Sequence, residues 1–455
     1  MELHEILEKQ RIFFREGISR NLNYRRQSLL RLSENLKRYE EELYEALEKD
    51  LGKSRYEAYG TELGLVYSEI SYMLRHLSRM AKPRRVHTPL MNFPSKSIIY
   101  KEPYGVVLIM SPWNYPVQLT LVPLIGAVAA GNCAVVKPSA YSPEVSKVLA
   151  KILWATFSES HVYIVTGGRE VNRNLLMEKF DYIFFTGGKT VGHTVMEAAA
   201  KHLTPVTLEL GGKSPCIVDE SADIAVAARR IVWGKFLNCG QTCVAPDYVL
   251  VHSSVKEKLL EAMVRNIEAL YGENPLESKD YGKIINEKHF DRLGRLLEGE
   301  TPYYFGGADP DKCKIGPVIL DDGNWESPAM QEEIFGPILP VLSFESLESV
   351  KTEIEAGPRP LALYLFTKRK EAEQYILDNL SFGGGCVNDT VMHLAGSSMP
   401  FGGVGASGMG SYHGKYSFRT FSHEKSVLKK STVIDIPMRY APYPESLRII
   451  KKFLK

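Results

Sequence analysis

Gly105-Val-Val-Leu-Ile-Met110, followed at once by Ser111-Pro-Trp-Asn114, decides the fold. A short apolar run that stops at proline and polar residues reads as a buried strand whose end opens into a loop. The pattern returns at 133–137, 161–165, 181–186 and 205–209, with helical stretches such as 117–130 and 189–201 between. Repeated strand–helix units of this length predict a parallel, doubly wound α/β sheet with helices on both faces. Ligands of such sheets sit beyond the carboxyl ends of the strands. The polar and glycine-rich residues fall there: Ser111–Asn114, Lys137-Pro-Ser139, Thr186-Gly-Gly188, and Glu209 before Gly211-Gly212. They predict one shared cleft.

A second alternating block runs from about 210 to 390, with helices at 222–237 and 255–270 and strands at 247–252, 361–366 and 384–388. Upstream, residues 3–80 read as helices. Leu29, Leu32, Leu36, Tyr39, Leu43 and Leu47 make one apolar stripe on a long helix that Gly52 ends. Leu63, Val66, Ile70, Leu74 and Leu77 make a second, which stops before Pro83. Residues 84–102, rich in proline and basic residues, read as a bridging hairpin and a candidate subunit contact. The glycine run Pro400–Gly410 is interleaved with Phe401, Val404 and Met409, which favours a packed loop over the site against a linker.

A chain of 455 residues exceeds one core, so two or three domains are expected. Its hydrophobic and charged fractions, 44% and 24%, are those of an ordinary globular protein. A formal charge of +2 gives no reason to expect nucleic acid or an anionic membrane surface. Six cysteines without regular spacing do not make a disulfide framework, and Cys239 and Cys243 lack a second pair at zinc spacing, so no metal is expected. The start, Met1-Glu-Leu-His-Glu-Ile6, is charged and amphipathic, unlike a signal peptide. No apolar run is long enough to span a bilayer, and the chain ends in the basic Arg448–Lys455, so a cytoplasmic location is expected.

The chemistry centres on Phe236-Leu-Asn-Cys-Gly-Gln-Thr-Cys-Val-Ala-Pro246. Cys243 there reads either as a small buried hydrophobe or as a reactive thiol on a tight turn. Leu208-Glu-Leu-Gly-Gly-Lys213 favours the second reading, since Glu209 follows an apolar run and precedes two glycines, a carboxylate at a strand end. A thiol with a carboxylate base is a workable nucleophilic pair for carbonyl substrates. No Gly-x-Gly-x-x-Gly follows a strand, but Phe185-Thr-Gly-Gly-Lys-Thr-Val-Gly192 spans a strand-to-helix turn. Glycine there supplies φ > 0 or lets free amides approach a phosphate.

Glu209-Leu-Gly-Gly-Lys213 and Gly240-Gln-Thr-Cys243 resemble the aldehyde dehydrogenase superfamily. Asn238–Tyr248 resembles its class 3 branch, which includes the fatty aldehyde enzymes, and the likeness runs from about residue 10 to Arg439-Tyr-Ala-Pro-Tyr443. The resemblance implies two doubly wound parallel-sheet domains plus a small bridging and oligomerisation element. Residues 1–83 and 103–208 would bind the dinucleotide, 209–410 would be catalytic, and 84–102 and 411–455 would form the bridge and tail. It implies Cys243 as nucleophile, Glu209 as base, and an oxyanion hole of the Asn114 amide with the Cys243 backbone N–H. Lys137 would hold the adenosine ribose, Thr186, Gly187, Gly188, Gly192 and Leu210 would contact the cofactor, Glu333 would hold the nicotinamide ribose, and Phe335 would pack beside it. Gly188 replaces the serine of the family's Phe-Thr-Gly-Ser motif.

Tyr115, Phe401 and His413, with Tyr412 and His393 nearby, are candidate pocket residues, although core or surface packing explains each almost as well. The implied activity is NAD-dependent oxidation of medium- to long-chain aliphatic or aromatic aldehydes to carboxylic acids. Ala140 stands where the family often has a glutamate that repels a 2′-phosphate, which extends the expectation to NADP. The chain lacks the longer N-terminal extension of the tetrameric classes, so a homodimer is implied. Two alternatives stay open. A coenzyme-A-acylating enzyme generally lacks the carboxylate that Glu209 supplies here. A protein that kept the fold and lost turnover would not be expected to retain Cys243, Glu209, Asn114, Lys137 and Glu333 together.

Overall fold

In the computed structural model, residues 3–321, 324–435, 437–443 and 445–453 are described; Met1 and Glu2 of the amphipathic start and Leu454 and Lys455 of the basic tail lie outside them. The stripe from Leu29 to Leu47 is carried by two helices, where one was expected. Helix Leu22–Arg38 starts at Asn21, whose side chain accepts from the Asn23 and Tyr24 N–H groups. It stops at Tyr39 (φ −103°, ψ 15°), and a second helix, Glu40–Leu51, begins on three glutamates and ends at Gly52 (φ 67°). Acidic residues at a helix start complement its positive end, which favours a fresh start over continuation. The buried Leu29, Leu32, Leu36, Leu43 and Leu47 still share one core.

Next comes a single π-helical turn, Tyr59–Leu63, which leads into helix Gly64–Ala81. The Gly64 N–H reaches back to the Tyr59 carbonyl, and a Cβ at 64 would lie 2.9 Å from that oxygen. Glycine is therefore what lets this wide turn close.

Strands β1 (Arg84–Val86) and β2 (Ser95–Pro103) form the hairpin expected at 84–102. Strands β3 (Val106–Met110), β4 (Cys133–Lys137), β5 (Val162–Ile164), β6 (Tyr182–Thr186) and β7 (Val206–Glu209) then alternate with helices and pair in parallel. In β3, Val107 and Ile109 enter one core while Val106, Leu108 and Met110 enter the other, so both faces are covered. Burying such side chains contributes about 1.5–3 kcal/mol each before entropy is counted.

The second sheet takes β8 (Pro215–Val218), β9 (Tyr248–His252) and β10 (Pro302–Phe305). A small hairpin, β11 (Ala308–Asp309) with β12 (Lys314–Ile315), stands apart. β13 (Val318–Asp321), β14 (Ile338–Phe344), β15 (Ala362–Phe366) and β16 (Gly384–Val387) complete the order β10-β13-β14-β9-β8-β15-β16, parallel except for β10. Two late segments return to earlier sheets: β17 (Gly408–Met409) runs antiparallel to β7, and β18 (Ser422–Lys430) pairs antiparallel with all nine residues of β2. The first sheet thus reads β17-β7-β6-β3-β4-β5, and its order reverses between β3 and β6.

The five residues after β7 already enter β8, so the carboxyl ends of the first sheet face the amino ends of the second. Lys137, Thr186 and Glu209 end β4, β6 and β7 of the first sheet, at the carboxyl ends where the sequence rule expects ligands. The second supplies its residues from the loops that enter β8, β9 and β14.

Candidate active site

Glu209 is the last residue of β7, in register with Thr186 of β6 on one side and Gly408 of β17 on the other. Its side chain is buried, neither carboxylate oxygen has a hydrogen-bond partner among the described residues, and burial holds the carboxyl well above the ordinary range. The glycine run passes directly over it: a Cβ at Gly402 would lie 3.2 Å from Glu209 Oε1. Phe401 is buried and bridges to Tyr412, Val404 is half-buried, and Met409 is exposed, so this run is a packed loop on its inner side only.

Cys243 lies on the turn that follows helix Ile224–Phe236. Asn238 and Cys239 adopt left-handed backbone (φ 51° and 53°), so Cys239 and Cys243 share no helical face, contrary to the simplest expectation from their spacing. Asparagine tolerates that conformation, and the network around it accounts for the rest. The Asn238 N–H donates to Glu57 Oε1 (3.0 Å), and its side-chain amide donates to the carbonyls of Asn114 (2.9 Å) and Gln241 (3.2 Å). Gln241 Nε2 donates to the carbonyls of Asn238 and Lys283, both at 3.0 Å, and Oε1 accepts from Ile285 N–H (3.0 Å). Gly240 (φ 71°) runs against the 333–337 loop, where a Cβ would lie 2.2 Å from the Gly336 oxygen.

Cys243 is partly exposed between buried Thr242 and Val244, as Leu237 is earlier in the run. Burial pushes its thiol up to about 12, and the negative charges of Glu333 and then Glu209 add to the shift, while the N–H groups of Cys243 and Val244 oppose it. Cys239 is fully buried, packs towards Gly282, and is also pushed up by burial.

Asn114 follows β3 and is buried. Its Nδ2 donates to the Gln241 carbonyl at 2.9 Å, which uses one of its two N–H groups and ties it to the cysteine turn. Tyr115 is buried, and its hydroxyl is 2.6 Å from Thr242 Oγ1. Cys243 lines a cavity of about 470 Å³, together with Tyr115, Trp233, Leu237, Phe401 and Tyr412. His413 also lines it; His393 does not, and sits 6.0 Å from the Phe401 ring.

The remaining sequence candidates do not line this cavity; they lie at the ends of β4 and β6, in the helix after β6, after β7 and in the loop before β14. Lys137 ends β4, is buried, and donates to the Pro138 carbonyl (2.8 Å); burial lowers its ammonium to about 8. Thr186 Oγ1 is buried without a partner among the described residues. Neither Gly187 nor Gly188 has positive φ, so the backbone does not require glycine here, and only Gly187 is confined by its neighbours. A Cβ at Gly187 would lie 2.6 Å from the Phe185 ring, one at Gly192 would lie 2.7 Å from Leu210, and at Gly188 nothing stands within 4 Å. Glu333 packs on Gly211, where a Cβ would lie 2.0 Å from its carboxylate; Oε1 is unpartnered, and burial raises its carboxyl to about 8. Phe335 (φ 47°) stands edge-on to Trp113 at 5.4 Å. Arg292 fastens this loop by donating to the Glu332 carboxylate at 2.7 Å and to the Ile334 carbonyl.

The aldehyde dehydrogenase family model matches residues 4–427. The chain belongs to the aldehyde dehydrogenase family. It is 49% identical over 445 residues to the 4,4'-diaponeurosporen-aldehyde dehydrogenase of Staphylococcus aureus, covering 97% of each chain. It is 45% identical to aldehyde dehydrogenase family 3 member A2 of Rattus norvegicus, covering 98% of this chain and 93% of that one. A substrate-bound structure of Staphylococcus aureus AldH superposes with a TM-score of 0.98 at 47% identity, covering both chains fully. The class 3 resemblance and the aldehyde dehydrogenase fold are therefore findings, and the chain is an NAD(P)-dependent oxidoreductase acting on aldehydes. No helix among the described residues is long and apolar enough to cross a membrane, and no group among them could hold a metal ion.

Sequence reasoning missed Lys53, Glu57 and Glu62, which surround Asn114 and the cysteine turn. Charged residues in a helical stretch read as solvated. The only signal was Gly60 and Gly64 bracketing Glu62 within an apolar stripe.

Proposed function

We propose that this aldehyde dehydrogenase oxidises medium- to long-chain aliphatic or aromatic aldehydes through a covalent intermediate on Cys243, with Glu209 as base and Asn114 as oxyanion donor. The observation that carries the reading is the largely apolar cavity lined by the partly exposed Cys243, with the buried, unpartnered Glu209 carboxylate near enough for its charge to raise that thiol. The cofactor fits outside that cavity. Unpartnered Thr186 Oγ1 and Glu333 Oε1 and the open space at Gly188 suit a polar ligand lying along the ends of the first sheet. Lys137 and Glu333 would hold its two riboses, Thr186, Gly187, Gly188, Gly192 and Leu210 would contact it along the sheet ends, and Phe335 would pack beside the nicotinamide. NAD(P) bound there accepts the hydride.

Ionised Glu209 takes the thiol proton of Cys243 and passes it to solvent, and Sγ attacks the aldehyde carbon. The second N–H of the Asn114 amide, with the Cys243 backbone N–H, stabilises the oxyanion of the thiohemiacetal; such a donor is worth about 3–4 kcal/mol of barrier. Loss of hydride leaves a thioester on Cys243. Glu209 takes a proton from water, which cleaves the thioester to the carboxylic acid and regenerates the thiol. The presence of Glu209 favours hydrolysis over transfer to coenzyme A.

Ala140, exposed just beyond Lys137, leaves nothing acidic at the position that would repel a 2′-phosphate, which supports acceptance of both NAD and NADP. The open edges of β16 and of the β1-β2-β18 sheet support a homodimer. Assays of NAD and NADP reduction with hexanal and benzaldehyde, with and without coenzyme A, test the reading. The expected product is the free acid with either cofactor; an acyl-coenzyme A product, or no reduction at all, overturns it. In Ala140→Glu, kcat/KM for NADP should fall selectively. Light scattering at about twice the 51.2 kDa chain mass is expected for the dimer.

A further inference from the structure

We infer that the buried Lys53–Glu62 pair is a positioning device for Asn114, so that the N-terminal helical segment, outside both sheets, sets the oxyanion site. The inference rests on the role proposed above for Asn114. Both side chains are fully buried, and Lys53 Nζ lies 2.7 Å from Glu62 Oε1. Lys53 also donates to the Asn114 carbonyl at 3.1 Å, the same oxygen that accepts from Asn238 Nδ2 at 2.9 Å. Glu62 Oε2 accepts from the N–H groups of Val117 and Gln118, both at 2.9 Å, at the start of helix Gln118–Ala130. The pair therefore grips the chain on both sides of residues 114–118. Lys53 also stands 4.0 Å from the centre of the Tyr115 ring, whose hydroxyl meets Thr242 beside Cys243.

What delivers Glu62 is the π-turn Tyr59–Leu63, two of whose residues, Gly60 and Thr61, line the cavity. Single π-turns inside helices are rare and recur at functional sites. A buried ion pair is a poor device for stability alone, since apolar residues of similar volume often replace it without loss. This pair is also connected to the carbonyl of Asn114 and to the N–H groups of Val117 and Gln118 just beyond it, and so to the segment that carries the proposed oxyanion donor.

The test separates positioning from stability. Lys53→Met leaves a buried carboxylate unpaired and should lower both Tm and kcat. The apolar pair Lys53→Met/Glu62→Leu should recover Tm relative to Lys53→Met, though not fully, since the Val117 and Gln118 N–H groups lose their acceptor. It should keep cofactor binding, measured by quenching of protein fluorescence, while kcat stays about tenfold or more below wild type with KM for hexanal little changed. Adding the apolar pair to Asn114→Ala should lower kcat by less than about twofold further, because groups acting as a unit are not additive. Recovery of wild-type kcat by the apolar pair, or a full additive loss in the Asn114→Ala background, would overturn the inference. Wild-type kcat in Asn114→Ala itself would overturn the oxyanion role, and the positioning role with it. That failure is distinct, because it appears without touching Lys53 or Glu62.

Discussion

At the scale of single residues, the site is built from groups held away from their ordinary protonation states. Burial raises the Cys243 thiol to about 12, so an alkylating reagent should react with it slowly at neutral pH and faster as pH rises. Cys243→Ser is expected to bind cofactor and lack dehydrogenase activity, whereas Cys239→Ser, changed on the buried side of the turn, stays active; substantial turnover by Cys243→Ser would exclude it as nucleophile. Glu209 must lose its proton to act as a base. Since burial raises its pKa, kcat should keep climbing with pH beyond the usual carboxylate range. In Glu209→Gln that limb disappears and the rate falls about 10²–10⁴-fold, with thioester accumulating in rapid mixing or acylation slowed. A near-normal steady-state rate in this variant would remove Glu209 from the mechanism. Both residues were legible because a carboxylate before Gly-Gly and a cysteine in Gly-Gln-Thr-Cys stand out from their neighbours. Lys53 and Glu62 were not, because nothing local distinguishes a buried charge from a solvated one.

At the scale of elements, apolar runs identified the strands because a strand covered on both faces needs no alternation. The break at Tyr39 escaped because the leucine spacing continues in phase across it. The partners of β17 and β18 escaped because their pairing is non-local and leaves no pattern in two or nine residues. Of the two reasons the sequence offers for Gly187-Gly188, positive φ or close approach of a phosphate, the first does not hold; a Cβ is crowded by Phe185 at Gly187 and meets nothing within 4 Å at Gly188. Gly188→Ser should therefore leave Tm unchanged and bind NAD as well or more tightly, by up to about one hydrogen bond's 0.5–1.5 kcal/mol. Gly192→Ala, driven against Leu210, should weaken it. Titration of cofactor fluorescence decides, and a tenfold loss for Gly188→Ser would show that the position is not open in the complex.

At the scale of the whole molecule, buried Glu69 ties helix Gly64–Ala81 to the last loops by accepting from the Gly414 N–H at 2.9 and 3.1 Å. Burial raises its carboxyl to about 7, above the unfolded value, so its contribution to stability is complete below about pH 4.5 and is lost as pH rises through 7. Tm should fall across that window, and Glu69→Gln should flatten the fall; an identical pH profile in the variant would show that Glu69 does not titrate there.

The late return of β17 and β18 bears on how the chain is made. Strand β7 emerges from the ribosome long before Gly408–Met409 exists to cover its edge, and β2 waits for Ser422–Lys430. At ~5–20 residues per second, the wait between β7 and β17 is roughly 10–40 s. During that time the half-finished first lobe presents a bare row of backbone amides and carbonyls beside the nascent nucleotide cleft. An exposed edge is a template for pairing with another chain, so this interval is the period of greatest exposure to aggregation and to capture by chaperones.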